Sequence, residues 1–165
     1  MTYENKYKLA EKSGIMLPKE ILKGENIVGI YEFFYYTNDS DKICFYIGKS
    51  TNIKGRLLDS SEGHIYRYLK YYIQNNKLEC NYYVPSKIDE YINKGYKIKL
   101  EIKEIDYKDT SFSRAAHRLA FAELQEIVAY QTIGQCLDQL PEGVGKNEEN
   151  FWNNNYKLDN NNLKI

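Results

Sequence analysis

The sequence predicts an α+β fold: a small three-stranded antiparallel sheet flanked by helices, in the order ββααβα. Three observations predict it. Residues 27–36 and 42–47 are runs rich in β-branched and aromatic residues, separated by the polar cluster Thr37-Asn38-Asp39-Ser40-Asp41. Residues 97–105 alternate through Leu100 and Ile102, as a half-buried strand does. Apolar positions elsewhere recur at helical spacing. At 165 residues the chain is long enough for one core, with modest decoration at its ends.

Residues 1–26 are polar, with Ile15-Met16-Leu17 and Ile21-Leu22 as apolar footholds and Pro18 at the start of a short helix ending near Gly24. This stretch is expected to be an arm packed on the domain. The run 27–36 pairs with 42–47 as a hairpin closed by Gly48. A short helix follows, capped by Ser50 or Thr51, with Ile53, Leu57 and Leu58 turned inward and Gly63 breaking it. Ile65, Tyr68, Leu69, Tyr72 and Ile73 make an apolar stripe on a second helix over 64–75. Pro85 and Gly95 frame a third helix over 86–94. The longest helix is expected over 113–133, between a Ser113 cap and Gly134. The domain thus spans 27–140. Residues 141–165 form a polar, Asn-rich tail in which Phe151 and Trp152 offer anchors and 158–165 are loose.

Charge separates function classes weakly. Lys+Arg and Asp+Glu are equal at 23 each, yet residues 42–108 carry a net +5 and residues 138–165 a net −2. A basic middle suits a phosphate-facing surface, and an ordinary solvated surface would look much the same. Cys44, Cys80 and Cys136 have no zinc-ligand spacing, which points to a reduced compartment. With no apolar leader and no run of about 18 apolar residues, the expectation is a soluble, cytoplasmic chain without a membrane partner.

The chemistry gathers at the hairpin. A turn centred between Asn38 and Asp39 sets Tyr31 opposite Tyr46, their Cβ atoms about 5 Å apart on one face. The same register sets Gly29 opposite Gly48, leaving a notch free of side chains that a polyanionic backbone can approach. Two tyrosines so placed are otherwise a packed cross-strand pair, and the chain has 17 Tyr. Arg56 arrives from the following helix, and Lys49 adds a cation at the same edge. Two hydroxyls, a guanidinium and an ammonium around a glycine notch fit a phosphate better than an apolar ligand.

Gly29-Ile30-Tyr31, Tyr46-Ile47-Gly48-Lys49 and Arg56 within Ile53-Lys54-Gly55-Arg56-Leu57 together resemble the GIY-YIG nuclease superfamily. The resemblance covers roughly residues 26–140, and the strand at 97–105 and the long helix after it fall in the family's order. It implies endonucleolytic hydrolysis of DNA with Mg²⁺ or Mn²⁺, RNA being a second substrate class, by a restriction-like, repair or mobile-element enzyme. Cleavage of both strands of a duplex would call for a homodimer.

On this resemblance Tyr31 helps deprotonate the attacking water, while Tyr46 and Arg56 hold the pentavalent phosphate. A phenol with pKa near 10 needs help at neutral pH, which a cation such as Lys49 or a metal-bound water would give. One carboxylate of the long helix would bind the metal, and both Glu123 and Glu126 qualify. The family's later amide falls on Gln135 counted from Glu123, or on Asp138 counted from Glu126, so Glu123 with Gln135 is the preferred set. His64 begins a helix, either as a cap or as a phosphate-reaching proton carrier. His117 and Arg118 read as surface residues. The competing class is a catalytically silent nucleic-acid-binding or protein-interaction module on the same fold.

Overall fold

The computed structural model describes residues 1–38, 41–61, 63–74, 82–141 and 146–158. Asp39 and Ser40 of the expected turn, Glu62, Cys80 and the tail from 159 onward lie outside the described residues. The elements are α1 (Tyr3–Ser13), β1 (Ile15–Met16), a 3₁₀ turn (Lys19–Leu22), β2 (Gly29–Tyr36), β3 (Ile43–Ser50), α2 (Ile53–Leu58), α3 (His64–Gln74), α4 (Tyr83–Asn93), β4 (Lys97–Glu104), α5 (Phe112–Thr132) and α6 (Lys146–Asn155). The class is α+β, as expected.

The sheet has four strands rather than three and is mixed, in the order β1-β4-β2-β3. The extra strand comes from the arm: Ile15 and Met16 pair in parallel with Ile98 and Lys99. Two residues are too few for a period-2 pattern, yet Ile15 is fully buried. Three helices, α2 to α4, separate the hairpin from β4, matching the short, second and third helices expected there, though the order ββααβα counts only two.

Central β2 explains the layering. It pairs antiparallel with β3 on one side and β4 on the other, and its residues are buried on both faces from Gly29 to Phe34. Tyr31, Phe33 and Tyr35 meet Leu57, Ile65, Leu69, Val84 and Ile88 from α2, α3 and α4. Ile30 and Phe34 meet Leu119 and Ile127 of α5 across the opposite face.

The arm is a structural part of the first layer. Thr2 accepts from the Asn5 N–H, and Gly14 ends α1 at φ 103°. Lys6 is 4% exposed; its ammonium donates to the Leu58 carbonyl at 2.6 Å and to Ser60 Oγ at 3.3 Å, and lies over the Tyr66 ring. It thereby fixes the turn between Arg56 of α2 and His64 of α3. Two caps differ from expectation. Asn52 caps α2 by accepting from Gly55 N–H, and Ser111 caps α5 by accepting from Arg114 N–H. In the tail, α6 has no buried residue, with Phe151 60% and Trp152 48% exposed. These rings do not pin it to the domain. Among the described residues no helix is long and apolar enough to cross a membrane.

Glu32 is the one acidic side chain buried in the middle of the sheet. It is 1% exposed, its Oε1 is 3.6 Å from Lys103 Nζ, and Glu126 and Tyr130 face it from α5. Burial, and then the nearby Glu126, raise its pKa to about 7 from the ordinary 4.5. The folded protein therefore holds this proton more tightly than the unfolded chain does. The associated stability is full below about pH 4.5 and is lost as pH rises through about 7, by at most ~3 kcal/mol. Urea midpoints measured from pH 5 to pH 8 should fall for the wild type and run nearly flat for Glu32→Gln. Parallel curves would contradict the assignment.

Candidate active site at the edge of the sheet

β3 is an edge strand, and the site is assembled around its C-terminal half. The hairpin register differs from the expected one. Tyr31 lies opposite Gly48 and Phe33 opposite Tyr46, while beyond a bulge Phe34 pairs with Cys44. Phe45 is the extra residue that the bulge accommodates on β3. At the site the pairing is displaced by two residues from the expected one. An even displacement keeps every side chain on its face. Tyr31 and Tyr46 are therefore diagonal rather than opposed, with ring centroids 6.2 Å apart.

The expected glycine notch is filled. A Cβ at Gly48 would overlap the Tyr31 ring and hydroxyl, and one at Gly29 would overlap the Lys103 carbonyl of β4. Gly48 is thus the seat on which the Tyr31 ring lies, not an opening for substrate. With Gly48 beneath it, Tyr31 is 1% exposed.

His64 meets this tyrosine from below. Its Nε2 is 3.1 Å from the Tyr31 hydroxyl, and its ring stands 5.7 Å from that of Tyr46. Burial, and then Arg56 and Arg67, lower its pKa to about 3, so the imidazole is neutral across the ordinary pH range. Its Nδ1 is buried and has no hydrogen-bond partner among the described residues. Burial also pushes the Tyr31 phenol well above its usual 10, against a smaller downward pull from Arg56. Arg56, rather than Lys49, is the cation that acts on Tyr31.

Lys49 emerges on the other face of β3. Its ammonium lies 3.5 Å from Glu123 Oε1 on α5. The two helix carboxylates are separated by their surroundings. Glu123 is 9% exposed and lines a cavity together with Tyr31, Tyr46, Lys49 and Arg56. Glu126 turns one helical step away and pairs with Lys103 at 2.8 Å, beside Glu32. The same cavity, of about 910 Å³, wraps around the strand edge and joins the two faces.

Gln135 reaches the cavity wall, but its side-chain carbonyl accepts from the Cys44 N–H at 2.7 Å. That ties the chain after α5 to the open edge of β3. Gln139, which sequence reasoning passed over, does the same: it accepts from the Ile47 N–H at 3.0 Å and donates to the Ile47 carbonyl. Two glutamines four apart beyond a helix-ending glycine are the only trace this leaves in the sequence. Tyr83 and Lys87 of α4 also line the cavity without any such trace. Of the surface residues, His117 bonds Ser113 Oγ at 3.3 Å and Arg118 pairs with Asp109, both away from the cavity.

Chemically, the cavity offers phenols, a guanidinium, ammonium groups, the buried carboxylate of Glu123 and the exposed one of Asp138, with the neutral imidazole of His64 behind Tyr31. Mg²⁺ needs few protein carboxylates, because water and substrate phosphate oxygens serve as its other ligands. Glu123 could hold such an ion in exchange for the Lys49 ammonium now 3.5 Å from it. Among the described residues no cluster of three or more His, Cys, Asp or Glu side chains stands ready for a metal. Neither protein-family models, nor curated proteins, nor solved structures show a match to the chain.

The seat at Gly48 is directly testable. Gly48→Ala sets a methyl inside contact distance of the Tyr31 ring, which must shift, an overpacking penalty of about 2 kcal/mol. Thermal melts should show that loss, and near-ultraviolet circular dichroism should show the tyrosine environment changed. An unchanged melt and spectrum would mean that Tyr31 does not rest on Gly48.

Proposed function

We propose that this chain is a metal-dependent endonuclease of the GIY-YIG type, hydrolysing DNA phosphodiester bonds. The observation that carries the reading is convergence. Tyr31 from β2, Tyr46 and Lys49 from β3, Arg56 from α2 and Glu123 from α5 line one cavity, though they are spread over 93 positions of the chain. Packing alone does not require a basic, phenolic and carboxylate set at a strand edge.

In this reading Arg56 and Tyr46 hold the non-bridging oxygens of the scissile phosphate. Glu123 holds the divalent ion, which would polarise the phosphate and lower the pKa of a bound water. Water attacks phosphorus, the bond to the sugar oxygen breaks, and that oxygen leaves with a proton from solvent. Tyr31 is too deeply buried to act as a phenolate on its own. Its hydroxyl instead takes the proton from water as it gives its own to neutral His64, so no free phenolate forms. Burial, and then Arg56, disfavour a charged imidazole at rest; the incoming phosphate offsets the second of these. Cleavage of both strands of a duplex would need two such sites and hence a homodimer. A reducing cytoplasmic setting fits the free thiols Cys44 and Cys136.

The burial of Tyr31 favours a second reading, a catalytically silent module that binds nucleic acid on the same surface. Incubating supercoiled plasmid with and without Mg²⁺ separates the two. Wild type should yield nicked or linear product only with the metal. Tyr31→Phe, Arg56→Ala and Glu123→Gln should each lower the rate by roughly two orders of magnitude or more. Glu126→Gln should leave the rate within a few fold. Binding without any cleavage would support the silent module, and full activity in Tyr31→Phe would dismiss the proposed site.

A further inference from the structure

The phosphate-facing residues occupy only part of the cavity. The remainder is walled by side chains of another kind. Tyr83, in the first turn of α4, is 53% exposed and lines the cavity with its ring centroid 6.0 Å from that of Tyr46. Tyr46 is in turn 6.2 Å from Tyr31. A half-exposed aromatic ring therefore stands one residue removed from the proposed phosphate ligand, about the separation between a nucleotide's base and its own phosphate.

The chain after α5 contributes Leu137 and Leu140 to the same cavity wall, 65% and 50% exposed, although both are apolar. Lys87 lies near the Tyr83 ring, its ammonium 5.7 Å from the centroid, and adds positive charge along the same wall. Next to it, Tyr82 carries Arg67 on one face of its ring at 3.7 Å and does not line the cavity. Of the aromatic residues that line the cavity, Tyr83 is the most exposed.

We propose that the space beside Tyr83, in the cavity that Leu137 also lines, is a stacking slot for one unpaired nucleobase of the strand being cut. The inference rests on the nuclease reading and gives it a substrate class: single-stranded DNA, or DNA with an unpaired nucleotide next to the scissile phosphate. A base within a duplex has both faces covered by its neighbours and must be extruded before it can meet Tyr83. A single strand offers its bases freely, and aromatic side chains stack any of the four. The slot thus selects strand structure rather than sequence.

The test uses the full chain in metal-free buffer, with 2-aminopurine as the unpaired base in a single-stranded oligonucleotide and as a paired base in the matching duplex. Stacking on tyrosine should quench the probe in the single strand but not in the duplex, and the single strand should bind more tightly. Tyr83→Ala should abolish the quench and weaken single-strand binding about tenfold, with less than twofold change for duplex. Tyr83→Phe should retain both properties. Because Tyr83 is half exposed, an unchanged thermal melt for Tyr83→Ala would show that lost binding is not lost folding. Equal affinity for duplex and single strand, or binding indifferent to Tyr83→Ala, would overturn the slot. Such a result would leave the nuclease reading standing wherever Mg²⁺-dependent cleavage is still seen. Quenching without cleavage under any Mg²⁺ condition would support the slot and remove the nuclease. No binding to either DNA would overturn both.

Discussion

The site depends on one contact, the Tyr31 ring lying on the bare backbone of Gly48. It exists because the β2–β3 register sets these residues opposite each other, with a bulge at Phe45 absorbing the odd residue. From that seat the Tyr31 hydroxyl reaches His64, with Arg56 and Tyr46 beside it. Arg56 and Tyr46 are placed relative to the same ring, and α3 must dock where its first residue meets the hydroxyl. The arm contributes to this docking through Lys6, whose bonds to Leu58 and Ser60 hold the turn that separates Arg56 from His64.

The edge strand explains why the site is where it is. An exposed β3 would present unpaired backbone groups, a hazard for aggregation. Gln135 and Gln139 cover the Cys44 and Ile47 groups with side-chain amides and so bring the chain after α5 against the strand. Glu123 is held on one side of β3 and Tyr31 on the other, and the cavity is the gap left between these covers. The same arrangement sorts the acidic residues. Glu123 faces the cavity and Lys49, whereas Glu126 and Glu32 share Lys103 within the second layer.

Much of this was legible in the sequence because it depended on local chemistry. Gly29-Ile30-Tyr31 and Tyr46-Ile47-Gly48 marked the hairpin, and the polar cluster at 37–41 separated its strands. Pro85, Gly95 and Gly134 bounded helices near their observed ends. What local chemistry could not fix was register. A two-residue displacement alters no side chain's face, so the alternation of β2 and β3 reads the same in either pairing. The fourth strand was hidden for a different reason: Ile15 and Met16 become a strand only because β4 has a free edge beside them. Apolar periodicity did not separate Glu123 from Glu126, and only the later Gln135 favoured Glu123; in the fold the distinction lies in which partner each meets, Lys49 or Lys103. His64 read as a helix start because its partner, Tyr31, is 33 positions away.

Burial penalises both a charged Tyr31 and a charged His64, so the pair is neutral at rest, and the proposed transfer to His64 needs the phosphate in place. The coupled, neutral pair is the feature on which the chemistry turns. It can be observed without substrate by following the imidazole ¹⁵N shifts of His64 over pH, with a His117→Gln variant to assign the two histidines. The account requires His64 to remain neutral from pH 8 down to at least about pH 5, given a pKa lowered to about 3. It also requires Tyr31→Phe to alter the Nε2 shift. A titration midpoint near the ordinary 6.5, untouched by Tyr31→Phe, would contradict it.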